Sequence, residues 1–291
     1  MEQRKIRSVQ DLEVLLKEVN FTSSNHIFRG QSKSGWKLLP SLLRNDFCEE
    51  HILNERSYFL PLIHYKTIPF LSTSDPLDYL SVFQHFGFRT RLLDWTNSHL
   101  IALYFACESN FDYDGVFITT NKIFYNNIDN EYLNRDYFNQ SFDSINLTEF
   151  WKRLDIEDVF LFETKFKNPR MRNQDGCMMF FPFYPIDQNN LKYVSLEDYV
   201  RFKNTHFRKI NNDTDENKTY VFLASLLVDC NYKKKILNEL DFYYGINHDF
   251  IFSNNNYVKE VQTEFEKFLN TNKNEFEGYK RMYEDFKQSI R

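Results

Sequence analysis

The chain has 291 residues, with 36 basic and 41 acidic side chains and a net charge of −5. That balance argues against nucleic-acid binding by bulk electrostatics, though it leaves room for a local basic groove. Seven glycines, where average usage would give roughly 20, exclude a Gly-rich phosphate loop.

The nearest approach to such a loop, Gly30 to Gly35, is followed by Trp36 and Lys37 and so has Trp where the lysine belongs. Aromatic residues make up 18% of the chain. Cys48, Cys107, Cys177 and Cys230 show no CxxC spacing and read as four buried free thiols in a reducing compartment. The N-terminus has no apolar core of signal-peptide length, and no window approaches a membrane span, so a cytoplasmic protein away from the membrane is expected.

Ser8, with Asp11 three residues on, predicts a variant capping box opening a helix through Val9, Leu12, Leu16 and Val19. His26–Phe28 reads as a short strand leading into Arg29-Gly30-Gln31. A helix is expected over residues 48–66 and another from Asp75-Pro76, closing at Gly87. Leu100 to Cys107 is apolar on all sides, the pattern of a buried helix.

From Asp114-Gly115 the pattern turns to strands: Val116–Thr119, Val159–Phe166, Cys177–Phe181 and Tyr220–Val228. Residues 121–147 are Asn- and Asp-rich and read as an inserted mobile loop. Asp229 is a candidate cap for a helix from Tyr232 to Tyr243 closed by Gly245, and the tail carries a helical stripe from Phe276 to Ile290. The order of elements is α+β.

Three polar clusters interrupt apolar segments. In the first, Arg29 offers a planar fork for phosphate or carboxylate, and Gly30 would let a ligand approach the backbone. The bland alternative is a surface ion pair. The second, Gln84-His85 to Asp94-Trp95-Thr96, sets an imidazole, guanidiniums, a carboxylate and hydroxyls between two helices. Its structural alternative is an Arg91–Asp94 bridge, with Trp95 packed beside it and Thr96 capping the next helix. The third, Arg170 to Gly176, reads as a polar hairpin turn that leaves Arg170 and Gln174 unexplained.

These clusters resemble the FRG domain family. Phe28-Arg29-Gly30-Gln31, followed by Leu39-Pro40-Ser41-Leu42-Leu43-Arg44, looks like its opening. Gln84-His85 through Thr90-Arg91-Leu92-Leu93-Asp94-Trp95-Thr96, with Ala102 to Ala106 after it, is similar to its longest motif. Arg170, Gln174 and Gly176 resemble its third, and Leu240 with Tyr244-Gly245-Ile246 its closing segment. Phe88-Arg89, Asp175 and Phe252-Ser253-Asn254 depart from the family pattern.

The resemblance covers residues 20 to 260 and divides the chain into an N-terminal helix (1–20), the FRG domain (21–260) and a helical tail (261–291). A remoter likeness, to ADP-ribosyltransferases, implies a single compact α+β domain with helices packed on a split, mostly antiparallel sheet. It also implies NAD as substrate, with no metal, and a role as a bacterial toxin or anti-phage effector acting on a nucleic-acid or protein target and answering to a phage trigger.

In that reading the ligand-binding residues are Arg29, Gln31, Gln84, Thr90, Arg91, Trp95 and Arg170, and the catalytic ones Asp94, His85 and Gln174. Ser72-Thr73-Ser74 or Thr96 would supply the hydroxyl motif. No glutamate holds the position where such enzymes carry a catalytic one, and Glu163 is the nearest strand-borne substitute. The competing reading is a non-catalytic module that binds a nucleotide or a phage component. A metal-dependent nuclease is weaker, because Asp112 and Asp114 lack a partner motif.

Overall fold

The computed structural model describes residues 4–19, 21, 24–44, 77, 80, 81, 84, 89–122, 159–163, 169–181, 195–201, 223–252 and 263. His85, Cys48, Ser72-Thr73-Ser74, the helix expected over 48–66, the insertion past residue 122 and the helical tail lie outside them.

Ser8 caps helix α1 (Val9–Glu18) by accepting the Asp11 N–H, while the Asp11 carboxylate accepts from Arg7 N, so the reciprocal bond reaches one residue beyond the cap. Strand β1 (His26–Gln31) follows. Leu77, Leu80, Ser81 and Gln84 are helical, as the Pro76 start predicts. Strand β2 (Leu92–Thr96) leads into α2 (His99–Cys107), capped by Ser98 rather than by Thr96.

Then come β3 (Gly115–Asn121), β4 (Phe160–Phe162), a short helix α3 (Pro169–Asn173), β5 (Gly176–Phe180) and β6 (Leu223–Val228). The third cluster is therefore a helical turn and not a simple hairpin, with Asp175 at φ 44 reversing the chain into β5. Asp229 caps a 3-10 turn, Cys230–Tyr232, that runs into α4 (Lys233–Tyr244). Gly245, at φ 65, closes α4 in the left-handed conformation that suits glycine, with Ile246 N bonded to Leu240 O. Helix α5 (His248–Ile251) ends the described region but for Thr263.

The strands form one six-stranded sheet, ordered β4-β5-β2-β1-β3-β6, and each neighbouring pair is antiparallel. The sheet is continuous where a split one was expected, but its centre is only loosely joined. β1 runs against β3 through six register pairs, His26↔Asn121 to Gln31↔Val116, but meets β2 at Phe28↔Thr96 alone. Past that pair β1 and β2 part. The result is α+β with one continuous antiparallel sheet opened at its centre.

Alternation along the strands feeds two apolar layers. Phe28 and Phe117 face α1, α2 and α4, joining Leu12, Ile101, Leu103, Ile236 and Leu240. Ile27, Leu93, Trp95, Ile118, Cys177 and Met179 face the other side, with Leu38, Leu42 and Leu196. Each buried aromatic or aliphatic side chain contributes about 1.5–3 kcal/mol relative to exposure. Helix α2 lies so close to the sheet that a Cβ on Gly30 would sit 1.8 Å from Ala102 O, and one on Gly115 2.2 Å from Ala106 O. Gly30 therefore admits a helix, where the sequence suggested a ligand.

Of the expected thiols, Cys107 and Cys177 are free and buried, each pushed up to about 12 by burial, whereas Cys230 is free but only half-buried. No helix among the described residues is long and apolar enough to cross a membrane.

Candidate functional site

The parting of β1 and β2 opens a cavity of about 220 Å3. One strand supplies Phe28, Arg29, Gly30 and Gln31, and the other Asp94, Trp95 and Thr96. Ser32, Trp36 and Arg44 come from the chain after β1, Phe105 and Glu108 from α2 and its end, and Arg170 and Gln174 from α3 and the turn after it. Residues from all three sequence clusters thus meet in one place.

Arg29 crosses the opening, its Nη1 donating to the Asp94 carbonyl. Its Nε is enclosed and has no partner among the described residues, and the same holds for Arg170 Nε, Trp95 Nε1 and Gln31 Oε1. Three buried donors and one buried acceptor around one cavity are unusual, since such groups normally find partners. Burial lowers the Arg29 pKa to about 10, with Asp94 opposing and Arg44 reinforcing, and burial lowers those of Arg44 and Arg170 as well. All three guanidiniums stay charged at neutral pH.

Asp94 is exposed to the cavity. Gln84 Nε2 donates to its Oδ1 at 2.6 Å, and Gln84 Oε1 in turn accepts from the Thr90 hydroxyl. Gln84 and Thr90 therefore orient the carboxylate from behind and do not line the cavity. Thr90 is fully buried, accepting from Leu92 N at 3.1 Å.

The Arg91–Asp94 bridge does not form. Arg91 precedes β2, is 97% buried by its 3% exposure, and sets its guanidinium 5.1 Å from the Phe180 ring centre, away from the cavity lining. Trp95 is packed into the core at 2% exposure and has no open stacking face; Trp36, half exposed, offers the open ring.

Thr96 joins two clusters, its hydroxyl donating to Gln174 O at 2.7 Å and accepting from Ser98 N at 3.0 Å. Gln174 Nε2 donates to Ile251 O at 3.3 Å and Asn173 Nδ2 to Phe250 O at 2.7 Å, while Arg170 lies 4.9 Å from the Phe252 ring centre. The closing segment thus braces the third cluster. Glu163, at the end of the edge strand β4, is not among the cavity residues.

Sequence reasoning missed Glu108. It follows α2 as its C-terminal cap, lines the cavity, and has its pKa pushed up to about 7 by burial, against the opposing pull of Arg170. No motif marked it; its one sequence signal is a carboxylate immediately after a wholly apolar helix. Asp112 and Asp114 lie elsewhere, and Asp114 is taken up by Lys5 at 2.7 Å and by Cys230 N at 2.9 Å.

The cavity thus sets three guanidiniums against two carboxylates, one of them poised to exchange a proton near neutral pH. Such an arrangement can hold an anion and keep a carboxylate beside it. No curated protein and no solved structure matches the chain. A family model, that of the FRG domain, matches residues 24–115, from just before β1 through the Asp94 cluster and α2 to the first residue of β3.

Proposed function

We propose that the cavity binds an anionic nucleotide and that the protein is an NAD-using enzyme of the ADP-ribosyltransferase type. The observation that carries this reading is a pair of guanidiniums, Arg29 and Arg170, each with an enclosed Nε that has no partner among the described residues, lining one cavity with Asp94 and Glu108. Arg29, Arg44 and Arg170 hold phosphate oxygens, and Trp36 stacks on a ring at the mouth.

In the reaction the bond between the ribose C1′ and nicotinamide nitrogen breaks, and nicotinamide leaves with the electron pair. Asp94, fixed by Gln84, stabilises the positive charge developing on the sugar. Water or a hydroxyl or amino group of the target then adds to C1′, and Glu108 accepts its proton. Transfer or consumption of ADP-ribose makes the protein a toxin or anti-phage effector in a bacterial cell, with a phage component as trigger.

Nicotinamide release from NAD, followed with and without infected-cell extract, is the test. Release that disappears in Asp94→Ala supports the reading; no release under either condition, with NAD still bound, leaves a binding module. The engagement of Gln174 by Ile251 O favours that second reading, since it commits to a structural bond the residue where a catalytic carboxylate was sought.

A further inference from the structure

We propose that the rim beside the cavity, built from Trp36, Tyr113, Phe111, Lys33 and Lys234, binds single-stranded nucleic acid and delivers it to the site. This rests on the nucleotide reading of the cavity and names its macromolecular partner.

Large aromatic rings seldom stand in water together without a use. Here Trp36, Phe111 and Tyr113 are 49%, 39% and 56% exposed. Each has a lysine against its ring: Lys33 Nζ lies 4.3 Å from the Tyr113 centroid and 5.9 Å from that of Trp36, and Lys234 Nζ lies 5.3 Å from Phe111. Lys37 is exposed beside Trp36; Asp112 and Asp114 stand in the same loop, but Asp114 is held by Lys5, so the rim lysines outnumber the acid left to oppose them. Rings interleaved with ammonium groups are what an unpaired strand requires, because bases stack on the rings while phosphates meet the charges. A duplex hides its base faces and has no use for such rings.

The rim is also held in shape. Ser34 N donates to Asp114 O at 2.9 Å, and Ser109 Oγ and Asn110 Nδ2 both donate to Ser32 Oγ, at 3.0 and 2.7 Å. Beneath them the buried Lys233 ammonium donates to the carbonyls of Ser32, Ser109 and Asn110. The two aromatic loops are therefore fixed relative to each other before any ligand arrives. Trp36 belongs to both places, since it also lines the cavity with Arg44. A strand stacked on Tyr113 and Trp36 reaches the guanidiniums with its next nucleotide. Because the whole chain is acidic, the attraction comes from this patch and not from net charge.

The test is fluorescence anisotropy of the full chain with labelled 12-residue single-stranded DNA and RNA and with the matching duplex, at low salt. Tyr113→Ala and Phe111→Ala should each weaken single-strand binding about tenfold, a loss in the range for one stacked base, and leave nicotinamide release from NAD unchanged. Lys33→Ala and Lys234→Ala should each reduce the slope of affinity against salt by about one. The DNA and RNA arms identify the sugar, and binding of either supports the proposal.

Equal affinity for duplex, unaltered binding by Tyr113→Ala and Phe111→Ala, or no oligonucleotide binding overturns it. Label transfer from NAD to a protein without oligonucleotide binding also overturns it. Oligonucleotide binding that depends on the rim, with no nicotinamide released, keeps this inference and removes the enzymatic one.

Discussion

Two cations lie near the end of β1, Lys233 wholly buried and Arg29 half-buried, and they are handled in opposite ways. Lys233 is wholly enclosed, and its three N–H donors meet three carbonyls at 2.7, 3.0 and 3.1 Å. Burial lowers its pKa, yet every donor is used. Arg29 sits a few residues back along the strand with one donor on Asp94 O and its Nε unused among the described residues. A saturated cation holds a fold together, whereas an unsaturated one at a cavity is available to a ligand. The sheet repeats the contrast: on its β3 side β1 is fully paired, and on its β2 side it is joined at one register position and then opens.

Breaking the saturated side should produce the largest effect. Lys233→Met keeps the aliphatic length but leaves three carbonyls without their donor, and we expect a loss of about 3–5 kcal/mol of stability, read as a lowered denaturant midpoint. Next comes Gly30→Ala. Its new Cβ meets backbone atoms, Ala102 O and Ala106 N, that no rotamer change can move aside. Helix α2 must back away from the sheet at a cost of about 2–3 kcal/mol, carrying Phe105 and Glu108 out of the cavity. A Gly30→Ala protein with unchanged melting would show that Gly30 serves a ligand after all.

The residues that were legible in the sequence are those whose local pattern has one physical cause. Ser8 and Gly245 marked helix ends because capping and left-handed geometry admit few residue types. The apolar run before Cys107 announced α2, and clusters of Arg, Gln and Asp among apolar residues announced a shared site. Pairing across space was not legible.

Asp94 lies three residues from Arg91, yet a strand turns alternate side chains to opposite faces, and its partner is Gln84 on a helix. Thr96 was read as a cap, but Ser98 holds that place, leaving Thr96 free to tie the second cluster to Gln174. Glu108 escaped notice because its role comes from burial beside Arg170, and burial is a property of the fold.

On the unsaturated side, Arg29→Ala should change melting by less than about 1 kcal/mol, since only one hydrogen bond is lost. Affinity for ADP-ribose, measured by calorimetry, should fall roughly 10- to 100-fold, as for loss of a charge-assisted bond. Arg29→Lys keeps the charge but not the planar fork, so it should recover only part of the binding. If Arg29→Ala instead melts like Lys233→Met, the distinction between the two cations collapses.

The smallest expected effect concerns Glu108, and it is read against pH. Its carboxyl titrates at about 7 in the folded protein against an ordinary value of 4.5. Between those values the folded protein keeps a proton that the unfolded chain has released, so this group's contribution to stability falls as the pH rises from about 4.5 to 7. Glu108→Gln cannot ionise and lacks that slope, so the stability difference between the two proteins should itself change between pH 4.5 and 7.

Binding should move with the same proton. Arg170 from α3, with Arg29 and Asp94 across the cavity, shares the enclosure with Glu108. When Glu108 is neutral the cavity is one charge more positive, and an anion is held more tightly. ADP-ribose suits the measurement because its diphosphate is fully ionised throughout, so any change between pH 6 and 8 belongs to the protein. Wild type should lose roughly three- to tenfold in affinity over that interval, the scale of one carboxylate several ångströms from the anion at partial burial. Glu108→Gln should bind at both pH values as wild type does at pH 6. A wild-type affinity that stays level from pH 6 to 8 would take Glu108 out of the ligand's field.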